Sequence, residues 1–281
     1  MIDLKLTEQD PHAPIRYQYA VDRVLYTGKS EYQEFAVVTN PFFGRMLLLD
    51  GVVQFTDRDE FYYHEMMAHV ALHAMPAPRR VIVIGGGDGG VIREILKHPT
   101  VEQAYLVDID PEVTRVSREF FPAVAAGLDD PRVVHAPMDG ALFMRQFEGH
   151  ADAILVDSTD IVGFATSLFT ADFFDRARAI LGPDGAFVTL SESLHFHFEM
   201  VRQVQETLAT VFPRVDLYTA PLATYGGNWW CFATGTNGLD LRAPARPPVT
   251  PTRYYCADIH RSCFLPDFLY RRLMEPGRTG F

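Results

Sequence analysis

The sequence predicts an α/β fold in which a doubly wound sheet, flanked by helices, follows a small N-terminal antiparallel β unit. Three observations lead to this prediction. From Arg80 onward, apolar runs typical of buried parallel strands alternate with helical stretches. The first of these runs leads into a glycine-rich loop and then a helix. Before it, residues 17–57 contain short strand patterns separated by turns.

The N-terminal unit is predicted from its turn signals. Residues 45–56 consist of two apolar runs on either side of the pair Asp50-Gly51, which is typical of a β-hairpin. In residues 59–75, apolar side chains recur every three or four positions, which predicts a helix. We therefore expect a β domain over residues 1–58 and a larger domain over residues 59–281.

The larger domain is predicted from alternating patterns. Five runs have the character of buried strands: RVIVIG (80–85), QAYLVDID (103–110), RVVHAPM (132–138), DAILVDS (152–158) and GAFVTLS (185–191). Helical patterns occupy residues 90–99, 111–122 and 168–181. Residues 216–222 and 228–236 are expected to close the sheet as a hairpin. A Pro-rich irregular segment (237–252) and a closing helix (254–274) complete the predicted chain.

Composition narrows the possible functions. The chain has 281 residues, a formal net charge of −11 and a pI near 5.3, which argues against a nucleic-acid partner. The acidic balance favours cationic ligands, although many proteins are acidic for solubility alone. The N-terminus lacks a signal-peptide pattern, and no apolar stretch is long enough to span a bilayer. Three cysteines without metal spacing suggest reduced thiols, so we expect a cytoplasmic protein with no membrane partner.

The glycine loop is the first candidate binding element. In VIVIGGGDGGVIREIL (81–96), the glycines at 85, 87 and 90 satisfy a dinucleotide-binding pattern between a strand and a helix. That pattern alone is weakly specific. Asp88 lies inside the loop, where a carboxylate would repel a pyrophosphate. The loop therefore suits a cationic or neutral ligand, such as a sulfonium compound or an amine.

Four acids end consecutive strand candidates: Asp88, Asp108, Asp139 and Asp157. Asp108 lies where related folds place an acid on ribose hydroxyls, and Asp110 is available to cap the next helix in its place. Asp139, followed by Gly140, either contacts an adenine amino group or is a turn or helix-cap residue. Because the carboxyl ends of parallel strands form one crevice, we expect the four acids to converge on a nucleoside that carries a positive charge.

Two histidine patterns are weak metal candidates. His64 and His69 are five residues apart, whereas two ligands on one helix face are typically four apart. The alternating residues 195–199 offer two histidines and one glutamate without further ligands. We therefore predict no metal site.

Four segments of this chain resemble the spermidine synthase family, the polyamine aminopropyltransferases. They are GRMLLLDGVVQFTDRDEFYYHEM (44–66), VIVIGGGDGGVIREILKHPTVE (81–102), VDSTD with SLF (156–169) and RYYCADIHRSCFLPDFL (253–269). The resemblance implies a methyltransferase-type Rossmann-like domain after an N-terminal β-hairpin domain, and a homodimer or homotetramer. It also implies aminopropyl transfer from decarboxylated S-adenosylmethionine, a co-substrate, to a diamine, usually putrescine. No prosthetic group is implied.

The resemblance further assigns roles to individual residues. Asp157 matches the catalytic proton acceptor. On the donor side, Asp88 would hold the aminopropyl amine and Asp108 the ribose. The remaining donor-side positions are Gln33, Gly85, Gly87, Asp139, Gly140 and Phe164. The amine acceptor would contact Tyr63, His64, Asp160 and Tyr225.

The segment after Asp160 departs from the family pattern. Ile161 and Phe164 stand where the family has prolines, which fix the backbone angle φ, so we expect a more mobile or differently shaped gate. Phe164 would either stack on the nucleoside or obstruct it. These departures leave three alternatives open: a different amine acceptor, intact S-adenosylmethionine as donor, or a binding protein without turnover. Asp88 argues against the second, because it would repel the carboxylate of the intact donor.

Overall fold

The computed structural model describes residues 4–10, 12–159, 161, 163–249 and 251–281, with the exception of the Phe164 side chain. The N-terminal part contains two antiparallel sheets. Strands β1 (Leu4–Gln9) and β2 (Arg16–Val21) form a two-stranded ribbon. A four-stranded sheet follows, made of β3 (Arg23–Lys29), β4 (Glu34–Asn40), β5 (Gly44–Leu49) and β6 (Val52–Thr56). The predicted turn at Asp50-Gly51 connects β5 and β6, and both turn residues have positive φ.

A seven-stranded central sheet forms the larger part of the fold. Its strands are β7 (Arg80–Gly85), β8 (Gln103–Val107), β9 (Val133–Ala136), β10 (Ala151–Asp157), β11 (Leu181–Ser193), β12 (Arg214–Pro221) and β13 (Trp229–Thr236). Their order is β12-β13-β11-β10-β7-β8-β9. Strands β7 to β11 are parallel to their neighbours, and the β12–β13 hairpin joins β11 in the antiparallel sense. The predicted α/β class and the closing hairpin are confirmed.

Helices cover both faces of this sheet. They are α1 (Glu60–Ala74), α2 (Gly90–Ile95), α3 (Pro111–Phe120), α4 (Gly140–Gln146), α5 (Ala171–Ile180), α6 (Phe198–Val211), α7 (Ala257–Ser262) and α8 (Asp267–Leu273). Alternate residues of β7 point into separate cores: Val81 and Val83 pack with α1 and α2, whereas Ile82 and Ile84 pack with α4, α5 and α6. Burial on both faces explains why these strands are almost entirely apolar.

Two features of the chain differ from the prediction. Residues 254–274 form two short helices rather than one, because residues 263–265 pair with β12 through Cys263 and Leu265. Pro266 then immediately precedes α8 as its N-cap residue, as expected of a residue that cannot continue a preceding helix. The elements β1, α4 and α6 were not predicted. In the part of the chain that the structure describes, no helix is long and apolar enough to cross a membrane.

Candidate active site

The candidate site lies where the strand order of the central sheet reverses. Strands β8 and β9 lie on one side of β7, and β10 and β11 lie on the other. Ligands of open α/β sheets bind at such a switch point, beyond the carboxyl ends of the strands. Here Gly85 at the end of β7 pairs with Asp157 at the end of β10. A cavity of about 400 Å³ opens at this position, a volume suited to a small molecule.

The loop after β7 brings backbone close to Asp157. Gly85 and Gly86 have φ values of +81° and +67°, in the left-handed region that favours glycine. A Cβ atom at Gly85 would lie 2.1 Å from the Asp157 carbonyl oxygen, and one at Gly86 would lie 2.6 Å from Asp157 Oδ2. The absence of side chains at both positions therefore allows the loop and the carboxylate to share one wall of the cavity.

Asp108 is fixed by backbone donors at the end of β8. Its Oδ2 accepts a hydrogen bond of 2.8 Å from Gly87 N, and its Oδ1 accepts one of 2.8 Å from Asp110 N. Burial raises the pKa of Asp108 to about 6, although both hydrogen bonds act against that shift. Asp108 therefore lines the cavity with its carboxylate held in one orientation.

Two other acids cap helices, as the sequence suggested. Asp110 caps α3 by accepting from Glu112 N at 3.1 Å, and it also accepts from Gln33 Nε2 at 2.8 Å. Asp139 caps α4 by accepting from Leu142 N at 2.7 Å. Unlike Asp110, Asp139 also lines the cavity. Its capping role and its position in the candidate site are therefore compatible.

Asp157 has an unusual environment for a carboxylate. Its Oδ2 is buried and has no hydrogen-bond partner among the described residues. Burial and the charge of Asp88 raise the pKa of Asp157 to about 7, whereas His64 and the Tyr63 hydroxyl act in the opposite direction. A carboxylate whose pKa lies near 7, and which has one oxygen without a hydrogen-bond partner among the described residues, is suited to accept a proton at physiological pH.

Aromatic rings surround this carboxylate. Tyr63 is buried, and its ring lies 6.0 Å from the ring of Tyr225. Tyr225 lies 4.5 Å from Trp230, and its hydroxyl donates to the Gln54 carbonyl oxygen. These rings line the cavity together with Phe55, so the alkyl chain of a ligand would meet apolar walls between the carboxylates.

The charge of the cavity lining is one-sided. Eight of the lining residues that the structure describes are Asp or Glu, and none of them is Lys or Arg. The two histidines of the lining are His64 and His197. Such an arrangement attracts cations and disfavours ligands with carboxylate or phosphate groups.

Comparisons with known proteins identify the family. Residues 60–242 match the model of the spermine/spermidine synthase domain, and residues 6–57 match that of the spermidine synthase tetramerisation domain. The chain belongs to the spermine/spermidine synthase family. Polyamine aminopropyltransferase 1 of Aquifex aeolicus (strain VF5) is 49% identical over 275 residues, 98% of each chain. The polyamine aminopropyltransferase of Bacillus subtilis (strain 168) is 44% identical over 252 residues, which cover 89% of this chain and 91% of the relative.

Solved structures of this family have the same fold. A spermidine synthase in complex with the transition-state analogue AdoDATO has a TM-score of 0.89 and 32% identity, and covers 96% of this chain and 94% of its own. The spermidine synthase from Thermotoga maritima gives the same TM-score at 30% identity, with the same coverage. The predicted family and the predicted Rossmann-like fold are therefore confirmed.

Most of the residues singled out from the sequence line the cavity described above. Those of the synthase domain are Tyr63, His64, Gly85, Gly87, Asp88, Asp108, Asp139, Gly140, Asp157 and Tyr225, and Gln33 joins them from the N-terminal sheets. Two residues cannot be placed in this way: Asp160 lies outside the described residues, and so does the side chain of Phe164. Of the altered gate, the structure describes Ile161, whose N–H donates to Glu192 Oε1 at 3.2 Å.

A second group of lining residues was missed by the sequence analysis. Glu8 and Asp10 reach the cavity from the N-terminal ribbon. Glu192 reaches it from the end of β11, and His197 from the start of α6. His197 Nε2 lies 3.1 Å from Asp10 Oδ1, so this pair joins the ribbon to the synthase domain. Glu192 is buried with a φ of 63°, a strained conformation that is typical of functional sites. It ends a strand like the four predicted acids, so the same rule would have found it.

A separate histidine cluster lies away from the cavity lining. His69 and His73 are four residues apart on α1, and one ring nitrogen of each lies within 4.8 Å of one in His98. Arg246 donates to His98 Nδ1 at 3.1 Å. His98 Nε2 contacts His69 Nδ1, and His69 Nε2 contacts Glu94 Oε2, so these side chains form a continuous hydrogen-bonded series. The guanidinium disfavours a second cation beside it, so the arrangement favours a buried hydrogen-bonded chain over a metal site.

Proposed function

We propose that this protein transfers an aminopropyl group from decarboxylated S-adenosylmethionine to putrescine, giving spermidine and methylthioadenosine. The observation that carries the proposal is the cavity itself. It combines a carboxylate with a pKa of about 7 and a lining rich in acids without Lys or Arg among the described residues. The donor is a cation at its sulfonium and at its amine, and a diamine acceptor is also a cation. Both therefore match the charge of the cavity.

In this proposal the donor lies along the ends of β7, β8 and β9. Asp108 binds the ribose hydroxyls, and Asp139 with Gly140 contacts the adenine region. Asp88 holds the aminopropyl ammonium, for which a carboxylate is the natural partner. Gln33, Gly85, Gly87 and Phe164 complete the donor side. The glycine backbone supports this assignment because it lets the nucleoside approach the sheet closely.

The acceptor is proposed to lie against Tyr63, His64, Asp160 and Tyr225. The ammonium at its attacking end first loses a proton, which frees the nitrogen lone pair; the nitrogen then attacks the carbon beside the sulfonium, and a carbon–nitrogen bond forms. The carbon–sulfur bond breaks, and its electron pair remains on sulfur, which leaves as the neutral thioether of methylthioadenosine. Asp157 accepts the proton that the nitrogen loses and later passes it to solvent. The tyrosine rings exclude water from these steps, which strengthens the electrostatic contacts of the cavity.

The direct test is methylthioadenosine release from decarboxylated S-adenosylmethionine, with putrescine and a panel of other amines. Release at enzymatic rates with putrescine is the expected result. Release only with a longer polyamine or agmatine would retain the reaction and replace the acceptor. Turnover of intact S-adenosylmethionine alone would reject the proposed donor, and no turnover with any pair would leave a binding protein.

Replacement of Asp108 should weaken donor binding. In Asp108→Ala the ribose hydroxyls lose a charged acceptor, so we expect an increase of about tenfold or more in the donor Kd. Asp152→Ala is the matched control, because Asp152 also accepts two backbone N–H groups, from Arg79 and Arg80, at the opposite end of the sheet. Calorimetry should show weakened binding for Asp108→Ala alone. Equal affinities in the two variants would reject the ribose assignment.

The pH dependence of the reaction should report Asp157. Because a protonated carboxylic acid cannot accept the proton, activity is lost as the pH falls through the pKa of about 7. We expect kcat/KM for the donor to be about tenfold lower at one pH unit below that value than on the plateau. Steady-state rates across this range are the measurement. A profile that is flat through neutrality would contradict the role of Asp157 as base.

Assembly, domain division and location are further parts of the proposal. The N-terminal match to a tetramerisation domain supports a homo-oligomer, with a tetramer favoured over a dimer. The division at residues 58 and 59 falls between the two matched segments. The three cysteines are unpaired, which supports a reducing cytoplasmic location. Light scattering coupled to size-exclusion chromatography tests the assembly, and a monomeric mass would reject it.

A further inference from the structure

His64 is enclosed by two carboxylates, one on each ring nitrogen. Its Nδ1 lies 2.6 Å from Glu60 Oε2, and its Nε2 lies 3.5 Å from Asp88 Oδ1. His64 and Glu60 are both buried, and His64 and Asp88 both line the cavity. An ionised carboxylate only accepts hydrogen bonds, so a ring nitrogen satisfies it only when that nitrogen carries a proton.

Glu60 is itself held in place from the opposite side. Arg93 Nη2 donates to Glu60 Oε2 at 2.8 Å, and Arg93 Nη1 donates to Glu60 Oε1 at 3.2 Å. A bidentate contact of this kind between a guanidinium and a carboxylate fixes the orientation of the carboxylate. Arg93 also donates from Nε to Glu94 Oε1 at 2.8 Å, which anchors the guanidinium on α2. Glu60 thus presents a fixed negative charge to His64.

We propose that Glu60 is a positioning residue that keeps His64 in the imidazolium form against Asp88, so that the ligand-free site contains its own counter-charge. The inference rests on the proposed function for its kinetic consequence but not for the charge state. The geometry gives Nδ1 a hydrogen-bond acceptor in Glu60 and places the Asp88 carboxylate within ion-pair distance of Nε2. In addition, burial lowers the pKa of His64, but the charge of Asp88 and the contacts with Glu60 outweigh it, giving a pKa of about 9.

All charged groups around His64 enter the balance. Glu60 and Asp88 favour the imidazolium, and Arg93 opposes it. The imidazolium in turn affects Asp157. Its positive charge lowers the pKa of Asp157, whereas burial and the charge of Asp88 raise it. Loss of the imidazolium would therefore move the ionisation of Asp157 to higher pH. Glu60 would in this way influence the base without touching a substrate.

The charge state can be measured directly in the ligand-free protein. Nitrogen-15 NMR of labelled histidine should show His64 with both ring nitrogens protonated at neutral pH, titrating at a midpoint near 9. His64→Gln assigns the signal. A neutral His64 ring in the unmodified protein at neutral pH would overturn the proposal, whether or not any variant folds.

Glu60→Gln tests the positioning role. The variant removes the negative charge and leaves Arg93 facing His64, so we expect the His64 midpoint to fall by about one to three pH units. The acid limb of kcat/KM should move to higher pH by about one unit. Glu60→Asp, which keeps the charge on a shorter side chain, should restore part of both shifts.

Glu94→Gln is the matched control. It removes another buried carboxylate that contacts Arg93, but Glu94 contacts His69 rather than His64. Its His64 midpoint should remain near that of the unmodified protein. An equal shift in Glu94→Gln, or an unmoved midpoint in Glu60→Gln, would overturn the proposal. Failure of the unmodified protein to release methylthioadenosine would instead reject the proposed function and leave the NMR result intact.

Discussion

Asp157→Asn is expected to lower kcat by about 10²- to 10⁴-fold while largely preserving donor binding, because the variant loses the proton acceptor and little else. The amide is close in size to the carboxylate, and the nearby Gly85 and Gly86 backbone remains in place. An alkyl ammonium has a pKa of about 10.4 and an exposed Asp has one of about 3.9, a gap of about 9 kcal/mol for proton transfer. With the pKa of Asp157 raised to about 7, the gap falls to about 5 kcal/mol.

Single-turnover rates and donor calorimetry measure the two halves of this prediction. Asp184→Asn is a suitable control, because Asp184 is exposed on β11, does not line the cavity and undergoes the same change of charge. Near-normal turnover in Asp157→Asn would remove Asp157 from the mechanism. A clear loss that stays below about tenfold would indicate that Asp157 orients the amine, since an amide oxygen also accepts a hydrogen bond, and that solvent takes the proton.

A site residue could be predicted from the sequence when a local pattern determines its position, but not when a contact between distant parts of the chain does. Asp88, Asp108, Asp139 and Asp157 were found because a strand end is visible locally and the topology of a parallel sheet brings such ends together. Glu8 and Asp10 could not be found in this way. Asp10 contacts His197, which is 187 residues away in the chain, and Glu8 accepts a hydrogen bond from Val53 N, 45 residues away. No periodic pattern encodes such a contact.

Two other features that were not predicted, helix α6 and the break in the closing helix, have a recognisable signal in the sequence. Phe198, Val201, Val204 and Leu208 form the buried face of α6, with the spacing of an amphipathic helix. Pro266 signals the break in the closing helix. The role inferred for Glu60 is different, since a glutamate in the first turn of a helix is ordinarily a solvent-exposed residue. Only the position of Arg93, 33 residues away, shows that this one is buried and paired.

Donor discrimination is expected to depend on Asp88. Intact S-adenosylmethionine has a carboxylate on the carbon next to the amine that Asp88 is proposed to hold. Two like charges in this cavity repel each other. No Lys or Arg among the described lining residues offsets them, and the imidazolium inferred for His64 already faces the carboxylates of Asp88 and Glu60. We therefore expect the decarboxylated donor to bind at least about 100-fold more tightly than the intact donor, since juxtaposed like charges cost several kcal/mol.

Asp88→Asn should reduce this discrimination from both directions. The decarboxylated donor loses a charge-assisted hydrogen bond and should bind about 10- to 100-fold more weakly. The intact donor is relieved of repulsion, so its affinity should rise or stay constant. Because Asn retains an oxygen for the hydrogen bond of 2.7 Å from Gly90 N, the loop should keep its conformation. The ratio of the two donor Kd values, measured by calorimetry, shows whether Asp88 discriminates between the donors.

Asp139→Asn makes the comparison specific to Asp88. It removes the same charge from the same cavity, and Asn is as good a helix cap as Asp, so α4 should keep its N-terminus. If Asp139 contacts the adenine region, its loss affects both donors equally and leaves the ratio of their affinities unchanged. A ratio that falls equally in the two variants would mean that the overall negative potential of the cavity selects the donor. A ratio that falls only in Asp88→Asn assigns the selection to one carboxylate beside the donor amine.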